Sequence, residues 1–116
     1  MDVNIGIAQE DRKRSADAVS RLFADTYTLY LKTHGYHWNV EGRHFSVLHT
    51  MFEQQYNELT PAIDEIAERI RTLGHKAPAS YGEFAKLGTL SAGDSSLDEN
   101  AMVKDLFDSQ QQMVTT

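Results

Sequence analysis

The sequence contains no cysteine. Disulfides, thiolate metal sites and cysteine nucleophiles are therefore excluded. Proline occurs only twice and glycine seven times, which rules out a collagen-like or proline-rich chain. No run of roughly 18 apolar residues is present, so no helix of this sequence is expected to span a membrane. The first residues, Met1, Asp2, Val3 and Asn4, lack the basic region and apolar stretch of a secretory signal, and a soluble cytoplasmic protein is the expectation. Positive charge is scarce too: 11 Lys and Arg stand against 17 Asp and Glu, for a net charge of -6. That balance argues against a dedicated nucleic-acid-binding domain and leaves room only for a local basic patch. What the 116 residues do offer is 41% hydrophobic content. A chain of this size buries somewhat more than ~60% of its unfolded surface, enough for one core.

The apolar residues fall into helical periods. From 10 to about 37, Ala16, Val19, Phe23, Thr26 and Tyr30 recur at spacings of three and four, with Leu22 and Leu29 widening the stripe. Glu41-Gly42-Arg43 reads as a turn. A second periodic segment covers 45–73 through Phe45, Leu48, Phe52, Tyr56, Leu59, Ile63, Ile66, Ile70 and Leu73, and Gly74 is placed to stop it. Pro61 lies inside this segment, where it removes a backbone donor at a cost of ~3 kcal/mol. The apolar phase carries through it, which favours a kinked continuous helix over a break at Thr60. Ser80 and Glu83 form a capping box for a short helix to 87. Residues 88–95 read as loop. Ser96 and Glu99 form a second box, opening a segment with Leu97, Ala101, Met102, Leu106, Met113 and Val114 that reaches the last residue with no stop signal. The fold class is all-α: two long helices, a short connecting helix and a third long segment.

The second helix carries His49, Glu53, Asp64 and Glu68, two pairs each spaced i, i+4 on one face. Imidazole and carboxylate donors suit iron, manganese or zinc in the divalent state. At ~100° per residue all four point broadly one way. Yet at ~1.5 Å rise per residue, His49 and Asp64 stand ~22 Å apart, and a metal with bonds near ~2 Å bridges no such gap. Two copies of the helix, antiparallel about a two-fold near residue 58, bring the histidine end of one to the carboxylate end of the other, twice per dimer. His37, at the end of the first helix, joins if that helix folds back beside the second. Carboxylates at i, i+4 are also what the solvated face of an acidic helix carries, and Trp38 after His37 also reads as ordinary core packing. His34, His44 and His75 read as surface or turn residues, Arg12-Lys13-Arg14 as a solvated helix start, and Tyr27, Tyr30 and Tyr56 as core rather than redox residues. No glycine-rich phosphate loop and no Gly-x-Ser-x-Gly turn is present.

Two stretches, KTHGYHWNVEGRHFSVLHTMFEQQY at 32–56 and IDEIAERI at 63–70, closely resemble the Dps proteins (DNA protection during starvation), also called mini-ferritins. The resemblance rests on His37-Trp38-Asn39-Val40, Phe45 with Leu48-His49, Phe52-Glu53, and Asp64 with Ala67-Glu68-Arg69. It implies a ferritin-like four-helix bundle assembled into a hollow shell of twelve subunits, with ferroxidase sites at two-fold interfaces. His37, His49 and Glu53 would come from one chain, Asp64 and Glu68 from its mate, and Trp38 would sit beside the site and take up oxidising equivalents. The implied reaction oxidises Fe(II) to Fe(III), preferably with hydrogen peroxide, and stores ferric mineral; zinc or manganese are conceivable substitutes at the site. The family's third long helix runs past the last residue here and a fourth follows, so residues 1–116 are expected to be one ferritin-like domain, incomplete at its C-terminus.

Three functions compete at this point. One is a ferroxidase and iron store that works as a homo-oligomer. Another is a structural protein that condenses DNA, although residues 1–9 hold no lysine or arginine of the kind a DNA-binding tail uses. The last is a non-catalytic helical interaction module whose carboxylates are only surface charge.

Overall fold

The computed structural model describes residues 8–115, and all regular structure among them is helical. Most of the stretch 1–9 therefore lies outside the described residues. Helix α1 spans Gln9–Asn39, α2 Phe45–Thr72, α3 Tyr81–Leu87 and α4 Glu99–Thr115. The molecule measures 55 × 23 × 21 Å along its principal axes. Its long dimension follows from α1, whose 31 residues extend ~46 Å. The other three helices all pack against α1.

Two buried clusters divide the bundle along its length. Leu29, Tyr36 and Val40 of the α1 end meet Phe52 of α2 and Met102 and Leu106 of α4. Towards the other end Phe23 and Ala24 meet Ile70 of α2 and Phe84 of α3. Phe52 and Ile70 are fully enclosed, and burying each stabilises the fold by about 1.5–3 kcal/mol.

The ends of α2 and α3 form as their residues dictate. Beyond Leu73, Gly74 takes φ +87°, a left-handed conformation that a side chain would oppose. That turn lets Gly74 N–H donate to Arg71 O at 2.9 Å and His75 N–H to Ile70 O at 3.3 Å, satisfying carbonyls that the helix end leaves open. Pro61 does not divide α2, which is continuous through it. At α3 the Ser80 hydroxyl oxygen accepts from Glu83 N–H at 3.2 Å and donates to the Glu83 carboxylate at 2.9 Å.

The start of α4 differs from its expectation. Asp98, not Ser96, caps it: Ala101 N–H donates to the Asp98 carboxylate at 2.8 Å. Ser96 is already committed, with its N–H and hydroxyl both donating to Asp94 at 2.9 and 2.6 Å. These bonds hold the Asp94 carboxyl below its ordinary pKa. Glu99, the other half of the expected box, turns back to the α1–α2 turn. It accepts from His44 N–H at 3.0 Å and from the His44 ring at 2.8 Å, which holds the Glu99 carboxyl below the usual range. Gly42 makes that approach possible. Its φ is +127°, and a Cβ there would lie 2.8 Å from the Glu99 carboxylate.

Two charged residues of α1 are buried by loops and helices far along the chain. Asp25 accepts Thr89 N–H at 2.6 Å, the Thr89 hydroxyl at 2.8 Å and Leu90 N–H at 3.1 Å, fixing the loop after α3. The Lys32 ammonium, almost wholly enclosed, donates to Ser109 at 2.7 Å and pairs with Asp105 at 3.1 Å. Tyr36 donates to Asp105 at 2.5 Å and accepts from Asp94 N–H at 3.2 Å. Burial, followed by the Asp105 bond, pushes the Tyr36 phenol up to about 12.

Candidate metal centre

The α1–α2 turn folds the two helices antiparallel, so that the last turn of α1 faces the first turns of α2. Here His37 and His49 stack, with ring centroids 3.8 Å apart and planes 20° from parallel. His37 Nδ1 lies 2.7 Å from the carbonyl of His49, and His49 Nδ1 lies 2.7 Å from the carbonyl of His37. A carbonyl only accepts, so both Nδ1 atoms carry hydrogen. In the neutral rings this fixes one tautomer and leaves a lone pair on each Nε2. That is how histidine ligands are oriented towards metals, by a bond from the second nitrogen. His37 is 7% exposed and directs Nε2 towards Glu53, with 3.9 Å between Nε2 and Oε1. This is longer than a hydrogen bond and leaves the carboxylate, whose side chain is 51% exposed, turned outwards. Phe45 covers the outer face of His49 at 5.0 Å.

Asp64 and Glu68 are exposed further along α2. Among the described residues neither carboxylate has a hydrogen bond or ion pair, and no three His, Asp or Glu within the chain stand close enough to hold a metal ion. The histidine end thus offers two nitrogen donors and a carboxylate. The Asp64 and Glu68 end offers two carboxylates, ~22 Å of rigid helix away. The donor set fits a divalent transition metal, with imidazoles for Fe(II) and carboxylates for Fe(III).

Trp38 is 61% exposed, so the reading of it as ordinary core packing does not hold. It packs on His34, with centroids 3.9 Å apart. His34 also differs from its surface expectation. It is half-buried, stacks on Tyr56 at 4.3 Å and lies 6.4 Å from His37. Burial, and then the neighbouring His37, lower its pKa. The sequence did carry a signal for this position: His34 and Trp38 are four residues apart, which places them on one helix face. His44 is exposed in the turn and bound to Glu99, and His75 is half-buried beyond α2.

The ferritin-like domain family matches residues 16–116. The low temperature-induced protein all0458 of Nostoc sp., itself uncharacterized, is 40% identical over 114 residues, covering 97% of this chain and 63% of that protein. DNA protection during starvation protein 1 of Deinococcus radiodurans is 33% identical over 101 residues, covering 86% of this chain and 49% of that one. The chain therefore spans less than two thirds of the length of these relatives. The crystal structure of a Dps protein from Vibrio cholerae, described as a ferritin-like diiron-carboxylate protein, superposes with a TM-score of 0.91. It is 32% identical, and the match covers 99% of this chain and 73% of that one.

Proposed function

The chain belongs to the Dps family of ferritin-like proteins, and from that premise we propose that it oxidises Fe(II) at a site completed by a second copy of itself. In this reading His37, His49 and Glu53 of one subunit and the partner's Asp64 and the partner's Glu68 surround the substrate iron. The observation that carries it is the incomplete donor set. Two histidines are tautomerically fixed for ligation, yet among the described residues no three ligands converge within one chain. A two-fold axis supplies the missing carboxylates twice per dimer. Iron is the substrate and hydrogen peroxide the oxidant: 2 Fe²⁺ + H₂O₂ + 2 H⁺ gives 2 Fe³⁺ + 2 H₂O. The histidines hold ferrous iron, and the carboxylates stabilise the harder ferric product. Trp38, exposed beside His34, is placed to lose an electron to oxidant that escapes the pair. Assembly into a hollow shell would give the ferric product a place to accumulate.

The name of the Deinococcus relative supports DNA protection as a consequence. The net charge of -6 favours protection by removal of Fe(II) and peroxide over the coating of phosphates.

The test follows ferric absorbance after peroxide is added to anaerobic Fe(II) and protein. Wild type is expected to oxidise iron rapidly, and the double variant His37→Ala, Asp64→Ala to fall to the rate of free iron. Unchanged kinetics in the double variant would return the carboxylates to the status of surface charge. A gel shift of DNA at low salt checks the second point, where retardation by the assembled protein would establish direct binding.

A further inference from the structure

Helix α2 starts without the devices that usually hold a helix start. The side chain of its N-cap residue, His44, accepts no hydrogen bond from the helix, and no acidic residue occupies the first turn. A carboxylate arrives instead from α4. One oxygen of Glu99 accepts from His44 N–H at 3.0 Å, and the other accepts from the His44 ring at 2.8 Å. Glu99 is also the first residue of α4. Its negative charge therefore sits at the positive ends of two helices at once, α4 by sequence and α2 by packing.

This clamp holds the turn next to the candidate metal centre. Phe45 follows His44 directly, and its ring stacks on His49 with centroids 5.0 Å apart and planes 25° from parallel. His37 stacks on His49 as well, at 3.8 Å and 20°. Two rings cannot share one face, so the His49 imidazole is sandwiched between them. Its Nδ1 is held in addition by the His37 carbonyl. Of these three restraints Phe45 is the weakest in itself. It is exposed, and it stands in the first turn of a helix, where fraying is ordinary unless the end is tied.

We propose that Glu99 is a positioning residue of the iron site: bound to His44 from α4, it fixes the first turn of α2 and with it the Phe45 ring that keeps His49 aimed at the metal. The consequence for iron rests on the iron-oxidising reading above. Glu99 touches neither the histidine pair nor iron and acts through His44 and Phe45. Through it α4, which supplies no ligand, takes part in the centre.

The experiment has an iron-free arm and an iron arm, each run on wild type, Glu99→Ala, Glu99→Gln and two controls. Asp98→Asn removes the same charge one residue earlier and leaves a residue that still caps α4. Leu106→Val loosens the packing of α4 in the core, away from His44. In the iron-free arm the protein is treated with diethyl pyrocarbonate, which modifies unprotonated imidazole nitrogen, and the rate at each histidine is read by mass spectrometry of peptides. His49 is expected to react several-fold faster in Glu99→Ala than in wild type, and at the wild-type rate in both controls. Glu99→Gln keeps an oxygen for the His44 N–H but not the charge, and is expected to fall between. In the iron arm Fe(II) is titrated into each protein without oxygen. Affinity in Glu99→Ala is expected to fall about 10-fold, the lower end of what loss of an outer-shell partner costs, with the controls unchanged. Unaltered His49 reactivity in Glu99→Ala, or an equal rise in either control, overturns the proposal. So does unaltered Fe(II) affinity in Glu99→Ala when wild type binds. Should wild type bind no Fe(II), the iron-oxidising reading falls, and the iron-free arm still decides whether Glu99 positions His49.

Discussion

A site shared between chains makes a prediction that a site within one chain cannot. His49 and Asp64 are separated by ~22 Å of continuous helix, whereas a ligand bond to iron is close to ~2 Å. Variants His37→Ala and Asp64→Ala each damage both sites of their own homodimer. Loss of a mere outer-shell partner typically costs about 10–100-fold in metal affinity or activity, so loss of a ligand costs at least that much. Now unfold the two variants together and let them reassort. In a heterodimer the two lesions fall in the same site, and the other site has an intact histidine end and an intact carboxylate end. Random pairing makes about half of the dimers heterodimers, each with one good site of two, so roughly a quarter of wild-type sites should return. The assay is the amplitude of fast ferric absorbance after peroxide addition to the co-refolded mixture, against each variant refolded alone and against the double variant mixed with wild type. A mixture no more active than its parents would refute the shared site. Full activity of Asp64→Ala alone would remove the partner carboxylates from it.

Three further outcomes follow from the fold. Gly42→Ala is expected to lower stability by about 1–3 kcal/mol, because φ +127° opposes a side chain and the new Cβ meets the Glu99 carboxylate at 2.8 Å; chemical denaturation midpoints measure it. Lys32→Met leaves Asp105 facing Tyr36 with its buried cation gone and should destabilise by about 3 kcal/mol, read from chemical denaturation midpoints. Glu99 has a folded pKa below its ordinary 4.5, so its bonds to His44 stabilise the protein above that value and are lost as pH falls through the lower, folded pKa; thermal melts from pH 6 downwards should show a shallower acid limb in Glu99→Gln, and an identical limb would remove this link.

Helix positions were legible because they depend on local chemistry. The apolar stripe from Phe45 to Leu73 keeps one phase across Pro61, Gly74 supplies the left-handed stop, and Ser80 and Glu83 cap each other within one turn. What the sequence concealed are pairings over long separations. Asp25 and Lys32 have the look of solvent-facing charges on an amphipathic helix, since their partners at 89–90, 105 and 109 are brought beside them only by the packing of α3 and α4. The false start at Ser96 has the same origin. Its motif is correct, but Asp94 and His44 compete for its two members and win, which passes the cap to Asp98. At the candidate site, the residue types and their helical spacing could be read, whereas the mutual Nδ1 bonds of His37 and His49 could not. They join side chains to backbone carbonyls of another helix, which no periodicity reports.

Those mutual bonds link packing to chemistry. Each histidine uses one nitrogen to hold the opposite helix and leaves the other bare, so the contact that sets the register of α1 against α2 also aims the candidate ligands. A slip of one residue along the helix axis moves the backbone by ~1.5 Å, enough to break both 2.7 Å bonds and turn both rings at once. The far side of α1 resists such a slip. Asp25 holds the 88–95 loop, Lys32 and Tyr36 hold α4, and Gly93 lies so close that a Cβ there would sit 3.1 Å from the Lys32 side chain. The charges that α1 buries away from the histidines thus do for the outer elements what the histidines do for α2. A long helix with few glycines and clamps on both sides transmits little local motion, and the proposed shared centre would depend on that rigidity: carboxylates from a second subunit could meet two nitrogens only if both are already in place.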